Sequence, residues 1–213
     1  MISQILRHIG MNIFPRPTSL SISKKDLYGL NRLKVLGSED RDEYQQILDR
    51  ACDDKDSRMI ANRYPWQSRL AIRKLFGYAA NKKLPICMLT GTGGEHHFVP
   101  PVIKSLEMAL KGGCKTRILV WQPDSSKTSQ KLLDLESEYE NLEIRFSGTS
   151  DLGEELTHFQ VSGDDAYRQE AAHREIMDPH SVNEYEPSFA ARINFNDKAG
   201  AARLLKFFDV LWL

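Results

Sequence analysis

Between residues 85 and 146, three short apolar runs alternate with two segments of helical period. No other feature constrains the fold as strongly. The runs 85–90 (PICMLT), 116–121 (TRILVW) and 142–146 (LEIRF) are too short for helices and rich in β-formers, so they predict strands. Residues 99–110 place Val102, Ile103, Leu106 and Ala109 on one helical face and stop at Gly112-Gly113. Residues 125–140 read as a longer helix with a charged outer face. A β-α-β-α-β order demands crossover connections, hence parallel strands with helices packed on the sheet. After 146 the crossovers stop. Segments 158–162 and 166–170 flank Gly163-Asp164 as a hairpin, 189–195 reads as a further strand, and 198–213 as a closing helix carrying Leu204, Leu205, Phe208 and Leu211.

Upstream, Ser38 is the expected N-cap of a helix over 38–51 with Tyr44, Ile47 and Leu48 on one face. A second helix over 66–81 turns Leu70, Ile72, Leu75, Phe76 and Ala79 toward a core. Residues 15–38, with Pro15 and Pro17, read as an irregular connection. Ile2, Ile5, Leu6 and Ile9 share one helical face, without the continuous apolar core of a secretory signal. The expected architecture is therefore α/β: a mixed β-sheet flanked by helices, with an N-terminal arm and helix over 1–60 and the main domain over 61–213.

Composition narrows the function classes. Of 213 residues 41% are apolar, enough for a real core, yet no run approaches the ~20 needed to span a bilayer. Lys plus Arg (29) balance Asp plus Glu (29), so no basic surplus favours nucleic-acid backbones. Cys52, Cys87 and Cys114 are too scattered for a disulfide framework or a CxxC metal site, and fit reduced thiols in the cytoplasm.

Three places could carry chemistry. The turn Thr90-Gly-Thr-Gly-Gly94 follows a strand and precedes a helix, where a phosphate could meet backbone N–H groups. It matches neither GxxxxGK[ST] nor GxGxxG, and a plain turn at the carboxyl edge of the sheet is the simpler reading. Glu95-His96-His97 lacks a third ligand at zinc-like spacing, although His173 and Glu175 could be recruited in space; no metal or other cofactor is expected. The third is His158-Phe-Gln160-Val-Ser-Gly-Asp-Asp165, a strand and turn with His, Gln and Asp at offsets of zero, two and seven. The even offset puts His158 and Gln160 on one strand face. By the same parity Arg168 and Glu170 share a face of the next strand, with His173, Arg174 and Glu175 nearby.

The octapeptide resembles the HxKxxxxD (HKD) motif of the phospholipase D superfamily, with Gln160 in the lysine position. The likeness extends over roughly 60–213: the Lys111-Gly-Gly-Cys-Lys-Thr-Arg-Ile-Leu-Val-Trp121 segment, and Asn194-Phe-Asn-Asp197 followed by a helix ending Phe207-Phe-Asp-Val-Leu-Trp212. The resemblance implies a phospholipase D-like fold and a site built on His158, Gln160 and Asp165. It further implies a nucleophilic imidazole that forms a phosphohistidine, a phosphate-containing ligand, and, with a single motif copy, a homodimer with a shared cleft. Two departures stand out. Glutamine brings no charge to developing phosphoryl oxygens, and the family's G-S-x-x-N continuation is replaced by Ala166-Tyr-Arg-Gln-Glu170. The expectation is a degenerate ligand- or partner-binding module with weak or lost phosphodiesterase activity. The alternative is an active phosphodiesterase or nuclease with Arg168 as substitute cation, and Arg168 could equally pair with Glu170 or Glu175.

Overall fold

The computed structural model describes residues 36–91, 93–95, 97–121, 128–147, 157–170 and 190–212. Helix α1 (Arg41–Asp53) leads to the short strand β1 (Ile60–Asn62), helix α2 (Pro65–Lys82) and strand β2 (Ile86–Thr90). Then come α3 (Pro100–Lys111), β3 (Thr116–Val120), α4 (Gln130–Glu138) and β4 (Leu142–Phe146). The hairpin β5 (Phe159–Ser162) and β6 (Ala166–Glu170), strand β7 (Ala191–Asn194) and helix α5 (Lys198–Trp212) complete the described elements.

Among the described residues the strands form one seven-stranded sheet in the order β1-β7-β6-β5-β2-β3-β4. β2, β3 and β4 are parallel, as the crossovers require, whereas β5, β6, β7 and β1 pair antiparallel. Alternation along each strand sorts side chains onto two faces. On one, Ile86, Ile118 and Ile144 pack with Ile72 and Phe76 of α2 and Leu106 of α3. On the same face, Ile193 and Ala166 meet Leu75 of α2 and Tyr44 and Leu48 of α1. The opposite face, with Leu89, Leu119, Phe159 and Val161, is covered by Leu204, Phe208 and Trp212 of α5.

Three expectations need correcting in detail. The α1 cap is Asp40, whose carboxylate accepts the Glu43 N–H at 2.8 Å; Ser38 lies two residues upstream, and its hydroxyl bonds Glu43 instead. Helix α4 begins at Gln130, because Thr128 and Ser129 are not helical. Strand β1, only three residues long, leaves no periodicity to read, yet it pairs with β7 and Leu36 bridges to Ile60. The boundary drawn at residue 60 therefore falls inside a strand. Residues 36–60 bury Tyr44, Leu48 and Ala51 against the same core as α2 and β7. The apolar face at Ile2, Ile5, Leu6 and Ile9 and the connection over 15–35 lie outside the described residues.

The β5–β6 turn is tied to this upstream segment. Gly163 takes φ +74°, which glycine adopts without strain, and lies against Leu84. Beside it, Asp165 accepts from Tyr78 Oη at 2.7 Å and pairs with Lys55 Nζ at 2.7 Å. Burial opposes the charged Asp165 carboxylate, but the Lys55 and Tyr78 hydrogen bonds outweigh it and hold the pKa below the ordinary value. Burial, with the same bond, pushes the Tyr78 phenol up to about 12.

Two outcomes follow from this packing. Phe208→Ala, at a fully buried ring, should cost about 3–5 kcal/mol by chemical denaturation; a loss below about 1 kcal/mol would make α5 peripheral. Asp165→Ala leaves the buried Tyr78 hydroxyl unmet and should cost about 1–3 kcal/mol near pH 7. Because the folded-state pKa is depressed, that stability is full above the ordinary carboxylate range and fades as pH falls through the folded value. The gap between wild type and variant should thus narrow in acid; a gap that is constant with pH would show that the carboxylate's charge contributes nothing.

Candidate functional site

His158 stands one residue before β5, and the Glu170 N–H donates to its carbonyl at 2.8 Å, extending the hairpin ladder by one step. Gln160 is the cross-strand partner of Arg168. These two pairings bring His158, Gln160, Arg168 and Glu170 together on the α2 side of the sheet, as their even spacing requires.

Glu170 is the centre of the group. Its Oε2 lies 3.0 Å from His158 Nδ1, and its Oε1 takes an ion-paired hydrogen bond from Arg168 Nη2. Arg168 also donates from Nε to Asn62 Oδ1 at 2.8 Å and from Nη2 to Ser68 Oγ. Ser68 Oγ donates to the same Asn62 oxygen at 3.1 Å, and Asn62 Nδ2 donates to the Tyr64 carbonyl at 3.2 Å. Asn62, Ser68, Arg168 and Glu170 are all buried. A carboxylate on Nδ1 holds the imidazole's proton there, so in the neutral ring the lone pair sits on Nε2. That is the tautomer needed by an imidazole acting as nucleophile or base at Nε2. The Tyr44 phenol is pushed up by burial, with the nearby Arg168 charge working the other way.

The glycine turn and the histidine pair converge on this same place. The His158 ring approaches Gly91 so closely that a Cβ there would lie 3.1 Å from Nε2. The His97 ring stands edge-on to it, with centroids 6.2 Å apart. His97, His158, Gln160, Arg168, Glu170, Thr90 and apolar neighbours line a small cavity with room for roughly one water-sized group. Its walls are buried except at His97 and His158, which are partly exposed and mark its mouth. Within it, both polar atoms of the Gln160 amide lack a hydrogen-bond partner among the described residues, with the side chain 1% exposed.

Other candidates do not assemble. Asp165 does not reach His158: it sits at the far end of the hairpin, roughly 15 Å along the strand, and is taken up by Tyr78 and Lys55. Arg168 lines the cavity but spends its Nε and Nη2 donors on Asn62, Ser68 and Glu170. A phosphate loop at Gly91–Gly94 is poorly served, because Pro100 and Pro101 open the next helix and lack the N–H groups an anion would bind. Among the described residues no group of three or more His, Cys, Asp and Glu could hold a metal. Thr92, His96, His173, Arg174 and Glu175 lie outside the described residues. Asn62 and Ser68 escaped the sequence reading. The one available signal was polarity, Gln67-Ser68 interrupting the first turn of an otherwise apolar helix face.

No family model matches the chain, and no curated protein sequence matches it. Among solved structures it is similar to the polyphosphate kinase of Porphyromonas gingivalis, at 12% identity and TM-score 0.52 over 78% of this chain. The chain spans 28% of that enzyme's length. It is also similar to NucT from Helicobacter pylori (10% identity, TM-score 0.49, 73% of this chain and 95% of that one). A third is Nuc, a phospholipase D family member from Salmonella typhimurium (14% identity, TM-score 0.46, 65% and 84%). At such identities the likeness is one of fold and rests on the polyphosphate kinase match together with the strand arrangement: the chain has a phospholipase D-like α/β fold.

Proposed function

We propose that this chain is a phospholipase D-like ligand-binding module, its site centred on His158, in which phosphodiester hydrolysis is weak or lost. One observation carries the reading. Residue 160 is an uncharged glutamine, and Arg168, the only Lys or Arg among the described lining residues, is committed to Glu170, Ser68 and Asn62. On the described walls, negative charge developing on phosphoryl oxygens therefore meets only a guanidinium that is already ion-paired with Glu170. Removing a single electrostatic stabiliser of this kind costs on the order of 10²–10³ in rate.

The alternative, a working phosphodiesterase with His158 as nucleophile, is favoured by the Glu170–His158 contact, which holds the imidazole in the reactive tautomer. Metal-free assay of bis(p-nitrophenyl) phosphate separates the two. The expected wild-type rate is at background and unchanged by His158→Ala. Turnover well above background, abolished by His158→Ala and by Arg168→Lys with folding intact, would establish the enzyme instead.

Assembly belongs to the same proposal. One motif copy per chain implies a homodimer whose two His158 rings line a shared cleft. Light scattering should give the dimer mass; a concentration-independent monomer would leave each cleft to a single chain. Among the described residues no helix is long and apolar enough to cross a membrane, and the balanced net charge does not favour nucleic acid as the partner.

A further inference from the structure

Resting on the reading of the cleft as ligand-binding, we infer that its inner cavity takes an uncharged ligand group that both donates and accepts a hydrogen bond, a hydroxyl or primary amide, rather than a phosphate. The Gln160 amide carries the argument. Its Nε2 and Oε1 are both buried without a partner among the described residues, in a side chain 1% exposed. Buried polar groups in folded proteins are nearly always satisfied, and each one left over costs about 1–3 kcal/mol. Met88 is the cross-strand neighbour of Gln160 on one side and can offer no strong partner. Arg168 is the neighbour on the other side, and its hydrogen bonds go elsewhere. The amide is thus a donor and an acceptor placed side by side at the wall of the cavity.

What could satisfy it follows from hydrogen-bond inventory. A phosphodiester anion offers acceptors only, so it can meet Nε2 but leaves Oε1 opposed to another oxygen. A hydroxyl or a primary amide can meet both atoms. The charge count points the same way. The Glu170 carboxylate lines the cavity and cancels Arg168, so the fixed charge of these walls sums to zero. Size agrees as well: roughly one water-sized group fits, which admits a hydroxyl or the end of an amide and not a tetrahedral phosphoryl group. The rest of the ligand would lie at the mouth, where His97 and His158 are partly exposed. A glutamine at residue 160, where the resembled motif has lysine, thereby sets a different recognition chemistry as well as a different charge.

The test uses the full chain, ¹⁵N-labelled, with the Gln160 side-chain NH₂ signals assigned by their loss in Gln160→Met. Methanol, acetamide and dimethyl phosphate are titrated separately, the first two distinguishing hydroxyl from amide. The expected result is saturable shifts of the Gln160 signals with methanol or acetamide. At least one neutral probe should bind about tenfold tighter than dimethyl phosphate, the scale of one buried hydrogen bond gained or lost. Dimethyl phosphate binding as tightly as the neutral probes would overturn the inference, as would no shift with either neutral probe, which would leave an ordered water as the occupant. A second measurement needs no ligand. Gln160→Met removes an unsatisfied amide at similar volume, so its thermal midpoint should equal or exceed that of wild type. A lower midpoint would mean that the amide is satisfied within the fold, and the inference fails. Failure of the underlying module reading looks different: it appears as phosphodiester turnover, whatever the order of probe binding.

Discussion

The Glu170 carboxylate is shared by two cations-in-waiting, a guanidinium that is always charged and an imidazole that is charged only when protonated. Such a group can be buried only because Arg168 accompanies it, and Arg168 only because Asn62 and Ser68 take its other N–H bonds. Burial of a charge without partners costs many kcal/mol, and breaking a buried pair from one side costs about 3–5 kcal/mol. The pair therefore locks β6 to β1 and to the first turn of α2. It does so in the seam between two apolar clusters on one sheet face, where Ile72 and Phe76 belong to one and Leu70 and Leu75 to the other. A polar seam adds less stability than continuous hydrocarbon would, so its retention is most simply understood through the histidine that it holds.

Register makes the seam obligatory. His158, Gln160, Arg168 and Glu170 reach one face only if Phe159 pairs with Gln169 and Ser162 with Ala166. A slip by one residue would send all four charges and amides into the aromatic cluster of Phe159, Phe207 and Phe208 beneath α5. The turn at Gly163, packed on Leu84 and flanked by the Asp165–Tyr78–Lys55 contacts, guards against that slip. Asp165 thus serves the site at a distance, by fixing the hairpin that presents His158.

Much of this was legible in the sequence, and the physical reason is periodicity. Strands β2 to β6 and helices α2, α3 and α5 follow from local patterns of two or 3.6 residues, and parity alone placed His158 with Gln160 and Arg168 with Glu170. What escaped depends on contacts between distant segments. Asn62 lies in a strand too short to show alternation, and Ser68 points inward from a helix whose apolar face continues past it. Spacing set Asp165 seven residues after His158 and showed the hairpin turn between them, but not that Tyr78 and Lys55, from distant segments, take up its carboxylate. His97 was noticed as part of a histidine pair, yet its approach to His158 needs the β2–β5 pairing, a contact across some seventy positions.

On the proposed reading, the cavity is what a phosphate site becomes when position 160 carries no charge. In a site built for phosphate, a cation at position 160 would stand opposite Arg168 across the strand pair, and one carboxylate could not neutralise both. With glutamine there, a single Glu170 balances a single Arg168, and the walls become neutral without any change of backbone. The histidine keeps its carboxylate and its glycine contact, because both also serve the packing of β5 against β2 and β6. The electrostatics of phosphoryl transfer can therefore disappear while its scaffold persists. What remains is a neutral cavity with an oriented imidazole at its mouth and an amide, a donor and an acceptor together, on its wall.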